Sequence, residues 1–334
     1  MREIDIAMLG LGNVGRAFID YVRRQEKHHE VKINARGVAD SSGGLLSRDS
    51  RAIEKAVAYK ASGRSIKEFA PSDSMGIAEF ISELPRFGVS ALIESLPTNL
   101  ADPQPALDLI CSALRQGTNV VTVDKGPLAH GYETLKEAMF RGRSRLGYSG
   151  TTGVSPPGGL DGDRVLEIRG ILNGTTNYIL TEIQERSVSF DQALATAQAE
   201  GIAEPDPSLD IEGWDTAVKI LILAKALMGA DSTITGVSRI GIGPETLSLI
   251  EAARARGARV KLIGRARIWQ GRVRVSVAPK IVAADSPFYS VSGASKAAVF
   301  RTEAKGEALS FARSGRDAIS EIIIDDLLKI LEFS

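Results

Sequence analysis

Residues 4–15 read Ile4-Asp-Ile-Ala-Met-Leu-Gly-Leu-Gly-Asn-Val-Gly15, and this stretch decides the fold of the first half of the chain. Ile4 to Leu9 is a short apolar run of the kind that forms a buried strand. Glycines follow at 10, 12 and 15, and Arg16 to Arg24 has helical spacing with Ala17 and Tyr21 inward. A strand, a glycine turn and a helix in this order form a phosphate-binding corner. The first glycine makes the turn, the second lets backbone approach a pyrophosphate, and the third lets helix and strand pack closely. The helix start then offers free N–H groups and a positive dipole end to the phosphates. Gly10, Gly12, Asn13, Val14 and Gly15 are therefore candidate dinucleotide contacts. The next apolar run, Val31 to Val38, leads into Ala39-Asp40. An acid at that strand end can accept hydrogen bonds from ribose hydroxyls and repels a 2′-phosphate. Asp40 thus leans the reading toward NAD over NADP, while Ser41, Ser42 and Arg48 leave the phosphorylated form open.

Working outward, apolar runs and helical patterns alternate. Val89 to Glu94 reads as a strand, Pro103 to Gln116 as a helix and Asn119 to Val123 as a strand. Tyr132 to Arg141 reads as a helix and Arg145 to Tyr148 as a short strand, while residues 41–50 are Ser/Gly-rich and read as a loop. This alternation predicts an α/β domain with a Rossmann-type, doubly wound parallel sheet. Residues 149–162 are rich in Gly, Ser, Thr and Pro, and an α+β pattern follows. Arg164 to Leu172, Arg259 to Ile268 and Arg272 to Val277 read as strands; Asp191 to Glu200 and Asp215 to Met228 read as helices. The amphipathic segment Ser320 to Leu331 is expected to pack back on the first domain. The expected division is residues 1–148 with 306–334 as the dinucleotide-binding domain, and residues 149–305 as a catalytic and dimerisation domain.

Composition removes several classes of function. Lys+Arg and Asp+Glu both number 41, so no overall field draws the chain to nucleic acid or an anionic membrane. One cysteine, Cys111, excludes an internal disulfide and a cysteine-based zinc or iron–sulfur site. It also sits mid-helix, which argues against a cysteine nucleophile. Three histidines, His28, His29 and His130, do not make a His-rich metal centre. The start of the chain has no signal-peptide pattern, and no apolar run approaches the ~20 residues of a membrane span. A cytoplasmic protein acting on a small molecule is expected.

The densest chemistry lies at Gly201-Ile-Ala-Glu204-Pro-Asp206-Pro-Ser-Leu-Asp210-Ile-Glu-Gly-Trp-Asp215-Thr-Ala-Val-Lys219. Acids surround a proline-stiffened loop that enters a helix. Asp215 and Lys219 are one turn apart and share a face. Beyond them the helix is apolar nearly all round, from Ile220 to Ala224, and such a helix is buried. A solvated acid–lysine pair is the ordinary reading of this spacing, and the apolar surroundings argue against it.

At this point the sequence resembles the homoserine dehydrogenase family. The matching runs are Gly10 to Gly15, Asn119-Val-Val-Thr-Val-Asp-Lys125-Gly-Pro-Leu-Ala129, Gly170-Ile-Leu-Asn-Gly-Thr-Thr-Asn-Tyr-Ile179 and Gly201 to Lys219. They span about two-thirds of the chain; the last two are specific to the family, whereas many dehydrogenases share the first. The resemblance implies reversible NAD- or NADP-dependent hydride transfer between L-homoserine and L-aspartate 4-semialdehyde, in threonine and methionine biosynthesis. It implies that Lys219 and Lys125 flank the reacting carbonyl, and that Glu204, Asp210 and Asp215 bind the substrate's amino end and orient the lysine. Gly174 and Thr175 would line substrate and nicotinamide, and Lys125 and Gly315 would also touch the cofactor. The backbone at Thr152 and Val154 matches a loop that holds a monovalent cation such as sodium in relatives. A homodimer through the second domain is implied as well. The chemistry agrees, because a positioned ammonium stabilises the charge that grows on a carbonyl oxygen during reduction and can deliver the proton.

Three positions depart from the family's pattern. Asp124 stands where an asparagine is usual. Ser149 stands where a longer polar or acidic residue opens the cation loop. The C-terminal turn Phe311-Ala-Arg-Ser-Gly315-Arg-Asp317 keeps only its glycine, which predicts altered closing contacts to the nicotinamide. No room remains after Leu331 for a regulatory ligand-binding domain, so feedback inhibition through one is not expected. Two alternatives remain open on the residues: a related dehydrogenase of another small hydroxy or amino aldehyde, and a non-catalytic dinucleotide-binding sensor.

Overall fold

A computed structural model describes residues 2–25, 31–157, 160, 162–312 and 317–332. The first part of the chain runs β1 (Arg2–Leu9), α1 (Asn13–Gln25), β2 (Val31–Asp40), β3 (Gly43–Leu46), α2 (Ser50–Ala61), α3 (Ile66–Phe69), α4 (Ile77–Glu83), β4 (Ala91–Glu94), α5 (Ala106–Arg115), β5 (Asn119–Thr122), α6 (Lys125–Gly142) and β6 (Leu146–Gly147). After α7 (Ser149–Thr152) come β7 (Val165–Ile171), α8 (Gly174–Arg186), α9 (Phe190–Ala199), α10 (Ser208–Ile211), α11 (Trp214–Met228), β8 (Ser238–Arg239), α12 (Thr246–Arg254), β9 (Arg259–Trp269), β10 (Arg272–Val282), β11 (Lys296–Thr302), β12 (Gly306–Ala312) and α13 (Ala318–Glu332). The described chain forms two compact units, residues 1–151 with 316–334, and residues 152–315.

The sheet of the first unit has the order β3-β2-β1-β4-β5-β6. Five strands are parallel, as the alternating pattern predicts, and β3 is antiparallel to β2. This β3 is a correction to the loop expected over 41–50. Leu45 and Leu46 give residues 43–46 enough apolar surface to pair as a strand, which Ser and Gly content hid. The strand order reverses at β1, since β2 lies on one side of it and β4 on the other. Ligands of open α/β sheets bind outside the strand ends at such a switch point. Ile4, Ile6, Ala7, Met8 and Leu9 are all buried, so β1 is covered on both faces. Helix α13 packs on α1, β5 and β6 and places Ile323, Ile324, Leu327 and Ile330 in this core. Its apolar stripe at helical spacing is what the C-terminal segment's pattern predicts.

The second unit is built on a sheet of order β12-β11-β7-β9-β10-β8. Its pairings are antiparallel except β10 with β8. Strands β11 and β12 form a hairpin that the alternation did not reveal. Consequently residues 306–312, expected with the dinucleotide-binding domain, pair in this second sheet instead. Their partners are residues 296–302, and backbone pairing of adjacent segments decides the matter. Helix α11 is the core of the unit. Ala217, Val218, Ile220, Leu221, Ile222, Leu223 and Ala224 are fully covered, and fully burying each branched side chain contributes roughly 1.5–3 kcal/mol. Phe190, Ile168 and Phe300 from α9, β7 and β11 belong to the same cluster.

Candidate active site

The phosphate corner of the first unit has the geometry its glycines predict. Gly10 has φ +97°, and a Cβ there would lie 2.6 Å from the Ser95 carbonyl oxygen. A Cβ on Gly15 would lie 2.1 Å from the Gly10 carbonyl oxygen, so the close approach of α1 to β1 requires glycine. A Cβ on Gly12 would meet nothing within 4 Å. The open ground beside Gly12 and the N-terminus of α1, which starts at Asn13, fit a pyrophosphate. The Gly10 N–H is engaged by Ala39 O at 2.9 Å, and Ser95 Oγ donates to Gly10 O at 2.9 Å. Both contacts brace the turn.

Asp40 lies where the sequence places it, at the end of β2, but its carboxylate is occupied. Oδ1 accepts from Ser42 N (2.8 Å) and Ser42 Oγ (2.5 Å). Oδ2 accepts from Ile66 N (3.3 Å) and pairs with Lys60 Nζ (2.7 Å). Only 5% of the residue is exposed. Burial pushes its pKa up, but the bonds from Lys60, Ser42 and Ile66 outweigh that and hold it below the usual value. The expected ribose acceptor is therefore also the clasp that ties β2 to α2 and α3.

At the ends of β4 and β5 two more acids are buried, Glu94 and Asp124. Thr122 Oγ1 donates to Glu94, whose other oxygen accepts from Leu96 N at 2.6 Å. Complete burial, and then the charge of Asp124, push the Glu94 pKa up to about 8. Asp124 caps α6 by accepting from Gly126 N at 2.9 Å, and burial raises its pKa too. Asparagine and aspartate serve equally as caps, which is why the departure at 124 is tolerated. Lys125 opens α6, and its backbone N–H donates to Thr98 Oγ1 at 3.3 Å.

In the second unit, Asp215 and Lys219 form an ion pair of 2.6 Å, with side chains 14% and 11% exposed. This excludes the solvated reading of the pair. Lys219 Nζ also donates to Leu172 O at 3.0 Å. An ammonium has three N–H donors, so one is left once these two partners are satisfied. Asp210 joins through Asn173, whose Nδ2 donates to Asp210 Oδ1 (2.6 Å) and to Asp215 Oδ2 (2.9 Å). Gly174 and Thr175 form the first turn of α8 beside them, and Thr175 Oγ1 donates to Ile202 O at 3.1 Å. Glu204 is not brought into this group. It is exposed, and its carboxylate has no partner among the described residues. Asp206 accepts from Ser208 N at 3.1 Å and stiffens the same loop.

Thr152 and Val154 are buried, and Thr152 Oγ1 donates to Val154 O at 2.8 Å. A Cβ on Gly153 between them would lie 3.0 Å from Lys296 Nζ. Gly315 lies outside the described residues, as do His28 and His29. Asp317, the last residue of the sequence run that includes Gly315, pairs with Arg24 of α1 at 2.8 Å. Cys111 is buried in α5, and burial raises its thiol pKa, which suits a core residue and not a nucleophile. Among the described residues no group of three or more His, Cys, Asp or Glu could hold a metal ion. Two site residues escaped the sequence reading. Asn173 carried only the signature of a helix cap, an asparagine before Gly-Thr-Thr. Lys60 carried none, being one lysine on an ordinary amphipathic helix.

Comparison with known proteins follows from this geometry. A family model described as homoserine dehydrogenase matches residues 157–328. The homoserine dehydrogenase of Methanocaldococcus jannaschii is 34% identical, over 98% of this chain and 98% of that one. The NAD(+)-dependent homoserine dehydrogenase of Pseudomonas canavaninivorans is 33% identical, over 99% and 97%. The crystal structure of an Archaeoglobus fulgidus protein designated a homoserine dehydrogenase superposes with a TM-score of 0.83 at 28% identity, covering 98% and 99%.

Proposed function

Since the chain belongs to the homoserine dehydrogenase family, we propose that Lys219 and Lys125 are the catalytic lysines of that family's reaction in this protein. The reaction is the reversible NAD(P)-dependent interconversion of L-homoserine and L-aspartate 4-semialdehyde. The observation that carries the reading is the buried Asp215–Lys219 pair, with one ammonium N–H left after Asp215 and Leu172 O are satisfied.

The phosphate corner, with Gly10, Gly12, Asn13, Val14 and Gly15, would hold the dinucleotide, which supplies the hydride acceptor or donor. In reduction, electron density grows on the aldehyde oxygen. The remaining N–H of Lys219 stabilises it and passes a proton to it. In oxidation, a neutral lysine takes the hydroxyl proton. Asp210 and Asp215 attract the substrate's ammonium, and the first turn of α8, at Gly174 and Thr175, offers N–H groups to its carboxylate. Glu204 completes this set only by turning in from its exposed position. We assign NAD as the preferred cofactor, because Asp40 keeps its charge at the end of β2 and repels a 2′-phosphate; Lys60 at 2.7 Å weakens that repulsion and so narrows the preference. The name of the Pseudomonas canavaninivorans relative supports the same choice.

The remaining assignments follow the family reading. The backbone carbonyls of Thr152 and Val154 are proposed for a monovalent cation such as sodium. A homodimer is proposed through the second sheet, where Leu309 and Phe311 of β12 are exposed. Residues 152–305 are proposed as the catalytic and dimerisation domain, with residues 306–312 of β12 added to it; residues 149–151, expected with it, fall in the first unit. A cytoplasmic location goes with the biosynthetic role.

The test is reduction of NAD and of NADP with L-homoserine by the wild-type protein and by Lys219→Ala. A loss of less than about tenfold in the variant removes Lys219 from the chemistry, because a positioned acid or base contributes roughly 10²–10⁴-fold.

A further inference from the structure

Asn173 stands between β7 and α8 and is 5% exposed. Every hydrogen-bonding position of its side-chain amide is engaged. Oδ1 accepts from Thr176 N at 2.8 Å and from Thr176 Oγ1 at 3.0 Å. Nδ2 donates to Asp210 Oδ1 at 2.6 Å and to Asp215 Oδ2 at 2.9 Å. A backbone N–H on one side and two carboxylates on the other set the direction of the amide. The flipped amide would place its oxygen against both acids.

The consequence reaches Lys219. The oxygen of Asp215 that accepts from Asn173 is the one that pairs with Lys219 Nζ. The other partner of Lys219 is the carbonyl of Leu172, the residue before Asn173. Two consecutive residues at the end of β7 thus hold the ammonium from two sides, one directly and one through Asp215. The same nitrogen also draws two carboxylates together, which like charges resist unless donors lie between them. Serine could cap α8 but has no second donor. Aspartate could cap α8 but would set a third carboxylate against the other two.

We propose that Asn173 is a positioning residue of the active site. Its Nδ2 orients the Asp215 oxygen that carries Lys219 and keeps Asp210 beside it, so that both the ammonium and the paired carboxylates are set before substrate arrives. This rests on the reading of Asp210, Asp215 and Lys219 as the substrate site. Its other half, capping α8 through Oδ1, is structural, and the two halves separate by substitution.

Asn173→Ser retains a cap acceptor and removes both donations. Its melting temperature is expected to stay close to wild type. Its kcat/KM for L-homoserine is expected to fall by about 10- to 100-fold, the range for a hydrogen bond to a charged group. The KM for the dinucleotide is expected to change by less than about twofold, because that ligand's phosphate corner lies elsewhere in the chain. Asn173→Asp also keeps the cap and should lose more activity than the serine variant. Asn173→Ala loses both halves and should melt lower than either.

The proposal is overturned if kcat and KM for L-homoserine in Asn173→Ser stay within about threefold of wild type. It is overturned equally if the serine and aspartate variants, which keep the cap, melt as low as the alanine variant, because the Nδ2 bonds would then hold the fold and the lost activity would follow from lost stability. Lys219→Ala, measured alongside, separates the two readings. An active Lys219→Ala removes the site itself, whereas an inactive one beside a wild-type-like Asn173→Ser removes only the role of Asn173.

Discussion

Two aspartate–lysine pairs of nearly the same length serve different ends in this chain. Asp40 and Lys60 lie 2.7 Å apart in the first unit, and Asp215 and Lys219 lie 2.6 Å apart in the second. Around Asp40 the remaining partners are Ser42 and the backbone of Ile66, so the pair closes a loop onto its own helices. Around Asp215 one partner is Asn173, and the lysine retains an N–H after Asp215 and Leu172 O are met. A carboxylate surrounded by donors is a clasp, whereas a lysine with one donor left is a reagent. What distinguishes them is which member of the pair has unfilled hydrogen-bonding capacity, and not the pair itself.

Exchanging the lysines tests this comparison most sharply. Lys219→Ala should lower kcat with L-homoserine by about 10²–10⁴-fold. Lys60→Ala at saturating NAD should leave it within a few-fold, as measured by steady-state kinetics on both variants. Similar losses in the two would end the distinction.

Removing the acid of the clasp comes next in size. Asp40→Ala leaves the Ser42 and Ile66 N–H groups and Lys60 without their acceptor. It should destabilise the fold by about 2–3 kcal/mol in urea unfolding, with the partial exposure of Lys60 keeping the figure from rising further. The same variant should raise activity with NADP relative to NAD, since the repelling charge is gone.

Glu94 sharpens the comparison because it is a buried acid without a lysine. The Asp40 pKa lies below its ordinary value, whereas that of Glu94 is pushed up to about 8. The signs of the pH effects are opposite. The contribution of Asp40 is present above the unfolded carboxyl value and is lost as pH falls through the lowered folded value. Glu94 binds its proton more tightly when folded, so stability falls as pH rises from the unfolded carboxyl value toward 8. Glu94→Gln should flatten that decline and should be the more stable protein at pH 9. Equal slopes for wild type and variant in urea titrations between pH 5 and 9 would contradict a raised Glu94 pKa. The smallest effect expected is the stability change of Lys60→Ala, about 1 kcal/mol, because its side chain is 28% exposed and screened.

Much of this was legible from the chain alone, for reasons that differ along it. The run from Ile4 to Gly15 encodes a strand, a turn and a helix within twelve residues, and the backbone there leaves few alternatives. Lys219 could be set on a buried helix because Ile220 to Ala224 are apolar on every side. Strand β3 was not legible, since its pairing with β2 comes from burial of Leu45 and Leu46 and not from local propensity. Nor was the hairpin of β11 and β12, whose exposed Leu309 and Phe311 blur the alternation of the second strand.

The sequence by itself determined the dinucleotide corner, the Asp215–Lys219 face and the family, because each depends on residues close together in the chain or on motifs copied whole. The tertiary structure alone decided that Asp40 is a clasp, that Asn173 joins Asp210 to Asp215, and that Glu94 lies among groups that favour its proton. Those outcomes depend on partners such as Ile66, 26 residues from Asp40, and Asp215, 42 residues from Asn173. The hydrogen-bonding capacity of a side chain is a property of the residue. Whether that capacity is already filled is a property of the fold that surrounds it.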